Sequence, residues 1–148
     1  MGSTVKTYDP GSVVLTLGAH IVAGYGPDTM ITVERDEDSF TKQVGVDGET
    51  ARSKNRNRGG KITITLLQTS STNDVLSGYL LADEASNAGV VPAALKDLNG
   101  NTLMIAPSAW VMKAANSEFA KEVGTREWTI DTADMEINVG GNTITEPV

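Results

Sequence analysis

No cysteine occurs anywhere in this chain. Disulfides therefore cannot hold the fold and thiolate–metal chemistry is excluded, which fits a chain folded in a reducing cytoplasm. Histidine is almost as scarce: His20 is the single one, set in the apolar stretch "GAHIVAG". Any metal site would need oxygen ligands, and His20 reads as a packing residue or a hydrogen bonder near a turn. Aromatic residues make up 5% of the chain against 15 glycines, which favours a turn-rich β protein over a helical bundle. No apolar run approaches the ~18 residues of a membrane span. The opening "MGSTVKTYDPGS" lacks the apolar h-region of a signal peptide, and Met1-Gly2-Ser3 is given no structural weight. A soluble protein without membrane anchoring is expected.

Chemical motifs are also missing. "DLNGNT" (Asp97 to Thr102) echoes a calcium loop, but Ser108 stands where such a loop ends on a bidentate glutamate. "GVDGETARSK" lacks the Gly-Lys-Ser/Thr ending of a phosphate-cradling loop. The acids of "ERDEDS" are close enough in sequence to repel one another, so they read as a solvated charged turn rather than an acid–base pair. No catalytic, cofactor-binding or metal-binding residue is assigned, and no enzyme is expected.

What is present is short alternating segments. At 148 residues and 15.6 kDa the chain reads as one domain, 1–148, able to bury a real core. "KITITLL" (Lys61 to Leu67) places Ile62, Ile64 and Leu66 on one face and Thr63 and Thr65 on the other. Strands are also predicted over "SVVLTL" (Ser12 to Leu17, then a tight Gly18 turn), "MITVER" (Met30 to Arg35), "TLMIA" (Thr102 to Ala106), "AWVMK" (Ala109 to Lys113), "REWTID" (Arg126 to Asp131) and "MEINV" (Met135 to Val139). Trp110 and Trp128 read as core anchors. Asn99-Gly100 predicts a hairpin with a type I′ turn. One helix is expected over about residues 71–86, with Ser71 as N-cap, Asp74 completing a near capping box, and "NAG" from Asn87 as the stop. Its apolar stripe comprises Val75, Leu76, Tyr79, Leu80 and Ala82 or Asp83. A second short helix is predicted at "SEFAKEV" (Ser117 to Val123). The fold class that follows is mainly β: an antiparallel sandwich or barrel with one flanking α-helix.

Charge is unevenly spread. Net charge is −7, yet residues 52–61 hold five of the twelve cations and no anion. In "ETARSKNRNRGGK" the cations Arg52, Lys54, Arg56 and Arg58 alternate, followed by Gly59-Gly60 and Lys61. An extended segment puts such a row on one face. A nucleic-acid-binding β module could use it, but an acidic body and the lack of interleaved aromatics argue against that. A contact between copies is the other reading, with the acidic turn Glu34, Asp36, Glu37 and Asp38 as partner. If row and turn lie at opposite ends of the fold, they pair head to tail between copies, a geometry that makes rings or filaments.

The order "ITVERDEDSFTKQVGVDGETARSKNRNRGGKITITLLQTSSTNDVLSGYLLAD", followed by "KDLNG" and "REWTI…GGN", resembles the tail tube proteins of contractile-tailed bacteriophages. The resemblance runs from about Tyr8 to Asn142, excluding the first seven residues and the "TITEPV" tail, which are expected to be peripheral. It implies a β-sandwich or barrel shared with haemolysin-coregulated tube proteins. It also implies hexameric rings whose strands join into an inner barrel, stacked inside a contractile sheath. A long extended loop or hairpin, placed at about residues 45–60, would reach the neighbouring ring. Implied partners are other copies of the chain and the sheath, baseplate and tail-terminator proteins, with tape-measure protein and double-stranded DNA in the lumen. Implied localisation is the virion tail, assembled in the host bacterial cytoplasm. A tube component of another contractile injection system is the neighbouring alternative.

Overall fold

A computed structural model describes residues 5–142. The expectation for the "TITEPV" tail, and that for the first four residues, lie outside them. Within the stretch expected to be peripheral, the Thr7 carbonyl accepts from the side-chain amides of Asn99 and Asn142.

The strands are β1 Val13–Leu17, β2 His20–Ile21, β3 Ile31–Arg35, β4 Phe40–Val44, β5 Thr50–Lys54, β6 Gly60–Leu67, β7 Val91–Asp97, β8 Leu103–Lys113, β9 Thr125–Thr132 and β10 Glu136–Asn138. One helix, α1, spans Thr72–Ser86. The main sheet has the order β2-β1-β7-β8-β9-β6-β3, with β10 added to β8, and every pairing is antiparallel. It folds over a single core in a sandwich-like arrangement flanked by α1. The mainly β class read from the alternation is thus the observed one.

Period-two alternation builds that core. Leu15 and Leu17 of β1, Ile62, Ile64 and Leu66 of β6, and Trp128 and Ile130 of β9 all point inward and are buried. In β8 the buried set changes phase, from Met104 and Ala106 to Ala109 and Val111. Pro107-Ser108 lies at the change, so the two expected strands, 102–106 and 109–113, are one bent strand. Strand β7 was not foreseen. Its Pro92 coincides with a register shift, where a residue without an N–H does least damage to a ladder.

The helix closes one end of the core. Leu76 is fully buried, Val75, Tyr79 and Leu80 partly so, and the Tyr79 hydroxyl donates to the Leu17 carbonyl. Asn87 ends the helix in the left-handed region, at φ 58°, as expected of its "NAG". The predicted cap is not made: Ser71 is itself helical and its hydroxyl bonds no backbone N–H. Ser70 serves instead, its Oγ accepting from Thr72 N and its carbonyl from Asn73 N. His20 Nε2 lies 2.9 Å from Thr72 Oγ1, a structural hydrogen bond.

Three further expectations are corrected. The Asn99-Gly100 turn joins β7 to β8, but neither residue has positive φ, so it is not type I′. Asp97 organises it, its Oδ1 accepting from Asn99 N and its carbonyl from Gly100 N. Trp110 is only half-buried, facing away from the core row of β8, whereas Trp128 is a true core residue. Residues 117–123 form no helix. Phe119 and Val123 would be its apolar face and both are exposed, so nothing supports one or two turns against their nucleation cost. The segment is instead pinned as a loop, by Gly124 N donating to Gln68 Oε1 and by Arg126 Nη2 donating to the Glu118 carbonyl.

Candidate assembly site

At one end of the main sheet, Arg35 of β3, Gly60 of β6 and Thr132 of β9 lie side by side. From there the chain leaves the body as a separate two-stranded ribbon, β4–β5. The long segment expected at 45–60 is therefore a hairpin over Phe40–Lys54. Its turn is "GVDGE", closed by Gly45 N to the Glu49 carbonyl at 2.7 Å, with Gly48 at φ +88°. All ten strand residues of the ribbon are exposed.

The register sets its chemistry. Phe40 faces Lys54, Lys42 faces Arg52, and Val44 faces Thr50. Directly opposed pairs share a face, so Lys42, Arg52 and Lys54 stand together, and the Arg52 guanidinium lies 4.3 Å above the Phe40 ring. Lys42 was missed in the sequence: it belongs to the row only through pairing, and its own neighbours carry no charge pattern. Like charges directly opposite destabilise an isolated ribbon.

The root of the arm is a polar clamp. Asn55 and Asn57 alternate with the cations and so face the other way. Both side-chain amides donate to Glu37 Oε2, at 3.0 and 2.9 Å. Their oxygens accept from the backbone two residues on, Asn55 Oδ1 from Asn57 N and Asn57 Oδ1 from Gly59 N. These two donors hold the Glu37 carboxyl below its ordinary range. Gly59 and Gly60 are glycines because of space, not turn geometry. A Cβ would meet the Thr132 carbonyl oxygen at 2.8 Å from Gly59 and that of Glu34 at 2.5 Å from Gly60.

The acidic turn and the basic row are thus neighbours at one end of the fold, joined through Glu37. The supposition that they lie at opposite ends is not met. Among the described residues the one ion pair within 4.0 Å is Arg58 Nε–Asp134 Oδ1, at 3.5 Å. Asp36 is tied by its backbone to Gly59 and Asp38 is exposed. Lys61 and Glu34 lie elsewhere, on the outer face of the main sheet, where Glu34, Lys61 and Asp131 form one cross-strand row. Arg52, Lys54 and Arg56 have no carboxylate partner among the described residues. No group of metal-ligating side chains occurs among the described residues.

The arm is thus an exposed surface whose cations Arg52, Lys54 and Arg56 have no counterpart among the described residues. The family model described as bacteriophage PhiTE tail tube protein matches residues 9–140. The chain belongs to this tail tube family. A structural protein of Pseudomonas phage KPP10, ORF10, is 32% identical over 99% of this chain and 90% of its own length. Among solved structures, the tube-terminating cap of the anti-feeding prophage shares the fold at TM-score 0.64 and 10% identity, over 92% of this chain and 93% of that one. The sheath–tube complex of an extracellular contractile injection system matches at TM-score 0.61 and 6% identity, over 89% and 91%. The virion of a gene transfer agent matches at 0.58 and 10%, over 90% and 100%. At these identities the three structures show a common fold. This tail tube protein is a structural, tube-forming component of a virion tail rather than an enzyme.

Proposed function

We propose that the chain assembles into stacked hexameric rings forming the inner tube of a contractile tail, through which double-stranded DNA leaves the virion. The observation that carries this reading is the β4–β5 arm. A lone two-stranded hairpin is marginal in water, and this one has no core of its own, exposes Phe40 and Val44, and opposes Lys42 to Arg52. It suits a partner outside the chain, and the partner is the neighbouring ring. Arg52, Lys54 and Arg56, with Asp36 and Asp38 at the root, are the interface residues; Arg58 and Glu37 shape the root from within the chain.

The outer face of β3, β6 and β9 suits the lumen wall. It carries Thr32, Thr63 and Thr65, with Glu34 and Asp131 on either side of a single cation, Lys61. A basic wall would hold a polyanion at many phosphates at once. Six copies at −7 instead give about −42 per ring. Sheath, baseplate, terminator and tape-measure proteins are the partners such a tube requires.

Negative-stain microscopy of the purified chain over a concentration series tests the reading. Rings and tubes are expected from the intact chain. Replacing residues 40–54 by a short glycine–serine link should leave rings or monomers without tubes. A dispersed monomer at every concentration and salt would overturn the assignment to stacked rings.

A further inference from the structure

The arm has a length, a charge and a direction, and each limits what can receive it. It leaves from the Arg35–Gly60–Thr132 end of the sheet. Strand β6 runs from Gly60 to Leu67, so the opposite end lies about 24 Å away along the strand. That opposite end holds the segment 114–124, between β8 and β9. A cleft opens there, lined by Asn116, Glu118, Thr125, Glu127 and Thr129, with Lys113 at its side. Beside it Phe119 is 79% exposed, its ring held over the Arg126 guanidinium at 5.2 Å.

We infer that this cleft receives the β4–β5 arm of a second copy of the chain, in the next ring. The inference rests on the stacked-ring reading above and specifies the contact that joins one ring to the next. Donor and acceptor sit at opposite ends of one molecule. Their contact is therefore heterologous and cannot be satisfied within a chain, the geometry that propagates along an axis. The charges match in kind. The arm presents Lys42, Arg52 and Lys54 along its length, and the cleft presents the exposed carboxylates of Glu118 and Glu127. The acids of the arm, Asp47 and Glu49, are confined to its turn, and Lys113 is available to them. Apolar surface is exposed on both sides, at Phe40 and Val44 of the arm and at Phe119 by the cleft. The same contact accounts for a segment of helical composition that stays a loop. Coiling 117–123 would withdraw Glu118 and Phe119 from the rim.

A charge-swap series tests the pairing. Glu118→Lys with Glu127→Lys should abolish tubes seen by microscopy while the soluble protein keeps its circular dichroism spectrum and melting temperature, since both side chains are exposed. Arg52→Glu with Lys54→Glu should do the same. Combining all four substitutions should restore tubes at moderate salt. Tubes unaffected by the Glu118/Glu127 reversal would overturn the cleft as acceptor while leaving the stacked-ring reading intact. Loss that the combined variant does not restore would overturn the pairing of these two surfaces. An intact chain that never forms tubes would overturn the reading on which both depend.

Discussion

Asn73 uses both ends of its amide inside the protein. Its Nδ2 donates to the carbonyls of Leu67 and Ser70, and its Oδ1 accepts from the indole of the buried Trp128 at 2.9 Å. Asn73→Ala leaves that indole N–H without a partner and should cost about 1–3 kcal/mol in chemical denaturation. Asn73→Asp keeps the acceptor but sets a carboxylate oxygen against the Leu67 and Ser70 carbonyls, so it should also destabilise the fold. Glu37 gives a prediction in pH. Its carboxyl is held below the ordinary value of 4.5 by the amides of Asn55 and Asn57. The folded arm root therefore binds its proton less readily than the unfolded chain does. Its contribution is present above the ordinary glutamate range and lost as pH falls through the lowered value. A carboxyl-carbon NMR titration should place the Glu37 midpoint below the ordinary glutamate value, and Asn55→Ala with Asn57→Ala should return it towards that value. At this scale the sequence was only half legible. The alternation marks the cations, but Asn55 and Asn57 look like spacers until Glu37 arrives from 20 residues away.

Elements were legible where one face meets the core. "KITITLL" became β6, and the stripe of Leu76 and Tyr79 became the packed side of α1, because burial enforces the period that the sequence displays. Strand β7 was hidden because Pro92 and two alanines, Ala93 and Ala94, give no β signal, and only pairing on both sides makes it a strand. Segment 117–123 failed in the opposite sense, having helical composition without a surface to pack on. The arm is the element with the least support of its own. Amide hydrogen exchange of the dispersed protein should find β4 and β5 nearly unprotected while β6 and β9 are the slowest, and assembly should slow the arm selectively. Equal protection of the arm before and after assembly would show that it meets no neighbour.

For the whole molecule, fold class and family could be read from the chain, because both rest on the order of alternating segments over nearly its full length. The residues expected to form a contact surface fall into separate places in the structure. Arg52, Lys54 and Arg56 are exposed with no carboxylate partner among the described residues, while Arg58 pairs with Asp134. Of the acidic turn, Glu37 supports the root of the row through Asn55 and Asn57, and Lys61 and Glu34 belong to the sheet face. Such distinctions depend on register and on distance through space, and neither is written in local composition.

The clamp at Glu37 has a bearing on the straightness of the proposed tube. A five-residue strand is about 17 Å long, so a tilt of about 10° at the arm's root would carry its tip about 3 Å sideways. Every copy repeats the same root, and errors of one sign would add from ring to ring. In the proposed tube, two asparagine amides and a carboxylate would bracket the base of each arm and so limit that tilt.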